Sequence, residues 1–278
     1  MREYTEPTPI DLQAFSTVRI LKESWEISTK YFGALVMPMF LILIPSIFLA
    51  YITENKAFDV LHRAYFTFVV PLVMIGIHRA VLNLKEKGLQ PNFNETWREG
   101  NECWWRGIKA NWYSQLALGL TILGSLLLLL PGILIMDSNE LVGWLLLAAG
   151  IPAAIALLTW CTLRIFLTMP AMADGQTSSR KSFNISLTLT KGNVKKMLPF
   201  AYAFIGILLG LTLALFIVFM IAAVIGDGRD ESMEALGELI VIPLAAALVF
   251  AMTYGMTVST LTYIALRPAP AESPVSLV

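Results

Sequence analysis

The sequence predicts an all-α polytopic membrane protein with six transmembrane helices, on three observations. Of the 278 residues, 56% are hydrophobic and 14% are charged, whereas an average soluble domain has about 25% charged residues. The mean hydropathy of +0.68 is typical of a chain that crosses a membrane repeatedly. The apolar residues also form six runs of about 20 residues or more, the length at which a helix crosses the hydrocarbon core.

The six predicted spans alternate with polar connections of unequal length. They are residues 32–52, 65–84, 116–136, 141–169, 198–225 and 239–266. The last three runs exceed a minimal span, which predicts tilt or extension past the interface. We interpret the prolines of these runs as kinks, because neighbouring helices can satisfy a freed carbonyl; they are Pro38, Pro45, Pro71, Pro131, Pro152 and Pro243.

The basic residues predict the orientation of the spans. Of the 20 Lys and Arg residues, only Lys56, Arg63 and Arg229 fall on the side opposite the termini. Because Lys and Arg are enriched in cytoplasmic loops, both termini are predicted to be cytoplasmic. The N-terminal stretch MREYTEPTPIDLQAF has no apolar region after its basic residue, so we expect the first span to act as an uncleaved insertion signal.

A polar segment precedes each pair of spans, and each segment predicts an interfacial amphipathic helix on the cytoplasmic side. The first would place Ala14, Phe15, Val18, Leu21 and Trp25 on one face. The third, SFNISLTLTKGN at 182–193, has an alternating Ile-Leu-Leu pattern that also fits a strand. We favour a helix there, because an isolated strand at a membrane surface has no partner for its edge.

The recurring layout predicts three helix-plus-hairpin repeats within a single membrane domain, residues 1–267. The repeats cover about 11–84, 92–169 and 176–267, and a Pro-rich tail follows at 268–278. Short sequence matches between the repeats support this division. Phe93-Asn94 recurs as Phe183-Asn184, and Arg79 and Arg164 end the second and fourth spans, each followed by a glycine.

The second polar segment, NFNETWREGNECWWRGIKANWYSQ at 92–115, holds four of the seven tryptophans. Trp prefers the membrane–water interface, where its ring is buried and its N–H stays hydrated. We therefore predict an in-plane helix, which Gly100-Asn101 could interrupt, with Arg98, Glu99 and Lys109 towards water. The acids of the segment cancel its basic charge, which argues against nucleic-acid binding. The residues predicted to contact lipid or the interface are Trp97, Trp104, Trp105 and Trp112.

A family resemblance is carried by TLRIFLTMPAMADGQTSSRKSFNISLTLTKGNVKKML, residues 162–198. Arg164 at a span end is followed by Pro170, Gly175 and a Ser-rich helix that ends in Leu-Thr-Lys-Gly. This pattern resembles the membrane domain found beside glycerophosphoryl diester phosphodiesterases, and related six-span bacterial families. The resemblance implies a bacterial inner-membrane architecture. In that family the phosphodiesterase activity belongs to a separate soluble barrel domain, for which this chain leaves no room.

The sequence predicts no catalytic centre, cofactor or metal site. It contains two histidines, His62 and His78, and no HExxH, CxxC or Walker-type pattern. The glutamates at 95, 99 and 102 could share a helix face, but they lack histidine partners for a metal. Cys103 and Cys161 are expected to be free thiols. We therefore expect the protein not to be an enzyme.

Ionisable residues at the span ends are candidate lipid contacts. His78, Arg79 and Arg164 all lie within reach of the cytoplasmic interface and could serve as anchors that snorkel to it. Alternatively, the two arginines could hold lipid phosphates, or the acids Glu86 and Asp174.

Small residues at four-residue spacing predict close helix packing, either within the chain or between subunits. One such pair lies in the fifth span and a ridge of four lies in the sixth. The pair is Gly206 and Gly210, and the ridge is Ala247, Ala251, Gly255 and Ser259.

Two functions fit these features. The first is a non-catalytic scaffold or assembly partner that interacts with membrane lipids, another membrane protein or a second copy of the chain. The alternative is a transporter, channel or lipid-handling protein with a pathway between the repeats. A scaffold predicts tight small-residue packing without a continuous cavity, whereas a transporter predicts a polar midplane pocket bordered by broken helices.

Overall fold

The computed structural model describes residues 16–52, 56–175, 178–225 and 230–267, and all regular structure within them is helical. The described helices are α1 Thr17–Lys30, α2 Phe32–Ile52, α3 Lys56–Lys87, α4 Phe93–Met136, α5 Glu140–Ile165, α6 Thr168–Ala173, α7 Ser179–Thr190, α8 Val194–Ile225 and α9 Asp230–Leu266. The fold class predicted from the apolar composition is confirmed as all-helical.

Local sequence signals explain several helix boundaries. The side chain of Asn139 accepts a hydrogen bond from the Val142 amide and caps α5, and Ser178 caps α7 through the Lys181 amide. Gly88 after α3 and Gly175 after α6 have φ angles of 66° and 84°. Residues with a side chain rarely adopt this conformation, so these glycines allow the chain to turn back.

Four described helical segments are long and apolar enough to cross a membrane: Arg63–Lys87, Phe93–Met136, Glu140–Ala173 and Ala246–Leu266. They correspond to the second, third, fourth and sixth predicted spans. The first and fifth predicted spans are helical as α2 and α8. Among the described residues, however, the apolar stretch of α2 at Phe32–Ile42 is shorter than a span, so the count of six stays a prediction.

The tryptophan-rich segment does not form a separate in-plane helix. It begins α4, a single helix of 44 residues, which would be about 66 Å long at 1.5 Å per residue. The predicted interruption at Gly100-Asn101 is therefore wrong. The helix continues because Gly100 faces the backbone of α3, where a Cβ would overlap the Leu72 carbonyl oxygen.

A stripe of small residues, named here the α3–α4 seam, joins the first half of α4 to α3. A Cβ at Gly76 of α3 would likewise overlap the Thr96 carbonyl oxygen, so both helices lack bulk where their backbones approach. The seam residues of α4 are spaced alternately by four and three positions and are all buried: Thr96, Gly100, Cys103, Gly107 and Ala110. This stripe, not the tryptophans, is the packing face of the segment.

The second half of α4 pairs with α5 in an antiparallel hairpin. Glycines allow close contact here too: a Cβ at Gly150 would lie 3.1 Å from the Leu128 carbonyl oxygen. The outer faces of the hairpin are covered with large apolar side chains that are more than half exposed, including Leu116, Leu120, Leu134, Leu141 and Leu145. A surface of this kind is suited to hydrocarbon and not to water.

The fourth predicted span is broken near its end. α5 ends at Ile165, and the short helix α6 begins at Thr168 after the turn at Phe166-Leu167. One serine of α7 serves both sides of the break. The Ser186 hydroxyl donates to the Arg164 carbonyl at 2.7 Å and accepts from the Leu167 amide at 3.1 Å. The continuous span predicted at 141–169 is thus corrected to two helices.

The third polar segment is helical, as the edge argument predicted. Its buried face consists of hydroxyl-bearing residues, Ser179, Ser182, Ser186 and Thr190. These hydroxyls bond to backbone carbonyls of other elements as well as their own helix. For example, Ser179 donates to the Arg106 carbonyl of α4 at 2.7 Å.

The predicted apolar face of α1 packs only in part, because Leu21 lies against the core and the Trp25 ring contacts Phe250 and Tyr254 of α9. Val18 is 76% exposed and Trp25 is 55% exposed, whereas Ile20, Ser24, Ile27 and Ser28 are buried. Ser28 donates to the Thr257 hydroxyl of α9 at 3.2 Å. Small polar residues again form the contact between helices, and Ala14 and Phe15 lie outside the described residues.

Candidate functional site

A pocket of about 470 Å³ lies among α3, α5, α6, α8 and α9. Its walls are largely apolar, and no Asp, Glu, Lys or Arg lines it among the residues that the structure describes. The polar groups that line it are His78, Thr159, Thr162 and Ser259. One wall residue, Ile205 of α8, is also 42% exposed, so the pocket reaches the outer surface of the helices.

One face of α5 forms a wall of the pocket up to the helix break. Leu158, Thr159, Thr162, Leu163 and Phe166 line it, and their spacing follows a single helical face. Met169 of α6 continues the same wall beyond the turn. The break between α5 and α6 therefore borders the pocket.

The predicted small-residue ridge of α9 contributes the opposite wall. Gly255 and Ser259 line the pocket together with Met252 and Met256. Both positions border the pocket, and the close helix packing predicted for the ridge stays a prediction. Ala247 and Ala251, nearer the start of the ridge, are half-buried.

His78 is 2% exposed and forms the most polar part of the wall. Its Nδ1 lies 2.8 Å from the Thr260 hydroxyl, and that hydroxyl donates to the Met256 carbonyl at 2.8 Å. The interpretation of His78 as an interfacial anchor is therefore wrong. Its side chain joins α3 to α9 inside the protein.

A second pocket of about 620 Å³ adjoins the first. It is lined by Asn111, Trp112 and Gln115 of α4 and by residues of α3. Met74 and Met252 line both pockets, so these two side chains stand between them. Methionine side chains are flexible and adapt readily to a change in packing.

Arg79 contacts acids, but not the acids predicted for it. Its Nη1 lies 2.9 Å from Glu99 Oε2 and 3.2 Å from Glu102 Oε2 in α4. Because Glu99 is paired with Arg79, it does not point freely to water as predicted. The in-plane interpretation missed this pair, since it separated α4 from α3.

Glu86 and Asp174 are instead held by Arg267 after α9. The Arg267 guanidinium pairs with Glu86 and lies 3.4 Å from Asp174 Oδ2. Tyr263 donates its phenolic hydrogen to the same Asp174 oxygen at 2.7 Å. A further ion pair, between Lys85 and Glu23, joins α3 to α1. These charges tie the ends of several helices together.

Arg164 has no ion pair among the described residues. Its guanidinium carbon lies 5.5 Å from the centre of the Trp160 ring, a cation–π contact. Its Nε is buried and has no hydrogen-bond partner in the described part of the chain. The predicted contact between Arg164 and a lipid phosphate stays a prediction.

The four tryptophans of α4 have different surroundings. Trp97, Trp105 and Trp112 are exposed, and Lys109 Nζ lies 5.4 Å from the centre of the Trp105 ring. Trp104 Nε1 instead donates to the Phe68 carbonyl of α3 at 2.5 Å. The exposed rings remain candidate interface contacts, whereas Trp104 also supports the packing of α4 against α3.

The predicted helix contact at Gly206 and Gly210 is absent from the described chain. Both glycines are exposed, and a Cβ at either would meet no atom within 4 Å. A contact of this pair with another subunit stays a prediction, and a GxxxG spacing also occurs often by chance in apolar sequence.

Comparison with known proteins found no match among protein-family models, curated proteins or solved structures. Among the described residues, no group of three or more His, Cys, Asp or Glu side chains is placed to hold a metal ion. The sequence interpretation missed the pocket because its wall is assembled from five helices. The available signal was the combination of Gly255, Ser259 and an internal histidine.

Proposed function

We propose that this chain is a non-catalytic lipid-binding protein of the bacterial inner membrane. Under this proposal six spans form three helix-plus-hairpin repeats, with both termini cytoplasmic. The observation that carries the proposal is the uncharged apolar pocket beside His78. Its volume of about 470 Å³ lies within the range of about 300–1,000 Å³ that is usual for ligand sites.

The surroundings of the pocket support a lipid as the ligand. Ile205 belongs to both the wall and the exposed surface, within the predicted fifth span. An acyl chain could therefore enter from the bilayer side without crossing water. Burial of its methylenes would replace contact with neighbouring lipid by packing against the methionine and phenylalanine side chains of the wall.

The helix break supports lipid handling over a closed scaffold. The turn at Phe166-Leu167 borders the pocket, and non-helical backbone at membrane depth is tolerated where it lines a cavity. The second pocket, across Met74 and Met252, would extend the space if those side chains moved. This supports the lipid-handling alternative that the sequence left open.

A scaffold function remains a second candidate, favoured by the exposed α4–α5 hairpin. Its outer leucines have few contacts with the rest of the described chain. Only 11% of the most apolar stretch of either helix is buried. A partner helix or a second copy could pack there, although lipid alone would also cover this surface.

Ion pairs at the helix ends support the proposed orientation of the spans, and cysteine labelling tests it. Ion pairs link the ends of α1, α3, α4 and α9 where the basic residues gather, as expected for a cytoplasmic face.

Single cysteines at Ser138 and Lys181, both exposed, should be labelled from opposite sides of inverted vesicles. We expect Lys181→Cys to react from the cytoplasmic side, and reaction of Ser138→Cys from that side would contradict the orientation.

Filling the pocket tests the proposed function. Gly255→Leu places a branched side chain in the wall, whereas Gly119→Leu places the same side chain where no atom lies within 4 Å. Lipid that co-purifies with each variant can be quantified by extraction and mass spectrometry. We expect Gly255→Leu to lose tightly bound lipid and Gly119→Leu to retain it. Equal lipid content in both folded variants would count against the proposal.

A further inference from the structure

We infer that Arg164, at the end of α5, binds the phosphate group of an anionic phospholipid at the membrane surface. The site is separate from the pocket, since neither Arg164 nor Trp160 lines it. The inference rests on the membrane location proposed above, but it does not depend on lipid in the pocket. It is carried by the Arg164 guanidinium, which has no ion pair among the described residues.

The acids near the other helix-end arginines are already paired. Arg79 contacts two glutamates of α4, and Arg267 contacts Glu86 and Asp174. Glu86 and Asp174 are the acids that the sequence offered to Arg164 as alternatives to a lipid phosphate. Because Arg267 holds both, the positive charge of Arg164 is left without a partner in the described part of the chain.

The stretch of chain around Arg164 is poor in acids and rich in basic residues. Between Glu140 and Asp227 the only acid in the sequence is Asp174. The same stretch contains six basic residues: Arg164, Arg180, Lys181, Lys191, Lys195 and Lys196. Basic residues that gather at the ends of membrane helices attract anionic lipid headgroups. The local charge therefore favours an anionic ligand.

Exposed aromatic rings place Arg164 at the boundary between hydrocarbon and water. Cys161 Sγ lies 3.8 Å from the Ala117 carbonyl oxygen. Arg164, almost one turn beyond Cys161, is thus level with α4 residues about one turn before Ala117. The exposed rings near this level are Trp112, Tyr113 and Trp160. Trp and Tyr are enriched where a membrane protein crosses the interface, so the guanidinium lies at headgroup depth.

The Arg164 side chain has a buried stem and an open tip. Its backbone is held in place, because its carbonyl accepts from the Ser186 hydroxyl at 2.7 Å and from the Thr190 hydroxyl at 3.5 Å. Nε is buried, and the Trp160 ring lies beside the guanidinium. The two terminal nitrogens have no hydrogen bond within the described chain and are not among its buried polar atoms without a partner. They are open to a ligand, and their planar fork fits two phosphate oxygens.

The face of α5 that leads to Arg164 favours a phosphate that belongs to a lipid. Its residues before Arg164 are spaced by three or four positions, and all are exposed and uncharged: Leu146, Ala149, Ala153, Ala156 and Trp160. An acyl chain could lie along this apolar surface and keep its phosphate level with the guanidinium. A free phosphate would gain only the contact with the arginine, which water and salt weaken at a surface.

Native mass spectrometry of the purified full chain tests the class of ligand. The three ligands are dioleoylphosphatidylglycerol, dioleoylglycerol, which lacks the phosphate, and glycerol 3-phosphate, which lacks the acyl chains. We expect the phosphatidylglycerol to bind at least about tenfold more tightly than dioleoylglycerol, as for hydrogen bonds to a charged group. Equal binding of these two lipids would overturn the inference. Displacement of the phosphatidylglycerol by an equal concentration of glycerol 3-phosphate would overturn the assignment to a lipid.

Three substitutions test the position of the site. Arg164→Gln removes the charge, Arg164→Lys keeps the charge without the fork, and Arg98→Gln removes the charge of an exposed arginine on α4. We expect Arg164→Gln to weaken phosphatidylglycerol binding about tenfold, and Arg164→Lys to weaken it less. Arg98→Gln should change it by less than about twofold, as for an exposed charge. Equal losses in Arg164→Gln and Arg98→Gln would mean that net charge attracts the lipid, and would contradict a site at Arg164.

Filling the pocket separates this site from the proposed function. In Gly255→Leu the preference for phosphatidylglycerol over dioleoylglycerol should persist, because Arg164 lies outside the pocket wall. Loss of the preference in this variant would place phosphate recognition in the pocket and overturn the inference, while lipid binding by the pocket would stand. If Arg164→Gln does not fold, a larger loss in Arg164→Lys than in Arg98→Gln still supports the site, and equal losses overturn it.

Discussion

The Ser186 hydroxyl of α7 lies 2.7 Å from the Arg164 carbonyl oxygen, at the end of α5. The Ser186 hydroxyl oxygen also accepts a hydrogen bond from the Leu167 amide at 3.1 Å. One side chain therefore satisfies a donor and an acceptor freed by the break in the fourth predicted span. Without Ser186 the Leu167 amide would be unpaired in an apolar environment, and the Arg164 carbonyl would keep only the Thr190 hydroxyl, at 3.5 Å.

Substitution of Ser186 by Ala should destabilise the protein by about 1–3 kcal/mol, since the buried Leu167 amide loses its partner and the Arg164 carbonyl keeps only the long bond from Thr190. Thermal unfolding in detergent would measure the loss. Ser138→Ala is the matched control, because the hydrogen bond of the Ser138 hydroxyl to the Ile135 carbonyl is exposed. An equal effect of the two substitutions would show that Ser186 does not support the break.

Arg79 and Glu99 should behave as an ion pair. Both side chains are partly exposed, at 25% and 20%, so solvent screening limits their coupling to about 0.2–1 kcal/mol. A double-mutant cycle with Arg79→Gln and Glu99→Gln measures this coupling, and Arg79→Glu with Glu99→Arg should recover stability lost by either reversal alone. Additive effects throughout would favour a lipid phosphate as the partner of Arg79.

The α3–α4 seam predicts a strong effect of bulk at Gly100. Gly100→Leu should cost about 1–3 kcal/mol or more, because the new side chain would overlap the α3 backbone and force the helices apart. Gly119→Leu on the same helix meets no atom within 4 Å and serves as the control. If Gly100→Leu unfolds no more readily than Gly119→Leu, the two helices do not pack at this position.

The continuity of α4 can be measured by pulsed electron paramagnetic resonance. Spin labels at Arg98 and Leu127, both exposed, should lie about 44 Å apart on a straight helix at 1.5 Å per residue. Cys103 and Cys161 would be replaced by Ala. An in-plane segment that turned into the membrane near residue 113 would give about 30 Å by the same helix rise.

Local patterns in the sequence predicted the helical class, the four supported spans and the helix at 182–193. They failed where a long-range contact decides which face of a helix is buried. The tryptophans of α4 were assigned to the membrane interface of an in-plane helix, whereas the seam of Thr96, Gly100 and Cys103 packs against α3. A small residue carries little hydrophobic signal, so its role becomes visible only beside its partner helix.

The pocket was harder to predict for the same reason. Gly255 and Ser259 have a spacing typical of close helix packing, and sequence alone does not reveal whether a helix or an empty space faces them. His78 was assigned to the interface from its neighbour Arg79, although the two side chains point to different surroundings. The position of Thr260, 182 residues away, determines its role.

Site-specific crosslinking tests the central claim, lipid in the pocket, most directly. A lipid with a photoreactive diazirine in its acyl chain would be incorporated into membranes that contain the full chain, and the modified residues mapped by mass spectrometry. We predict crosslinks at pocket residues such as Met74, Phe200 and Met252, reduced by Gly255→Leu and unchanged by Gly119→Leu. Crosslinks confined to exposed residues of the α4–α5 hairpin, such as Leu120 and Leu134, would contradict it.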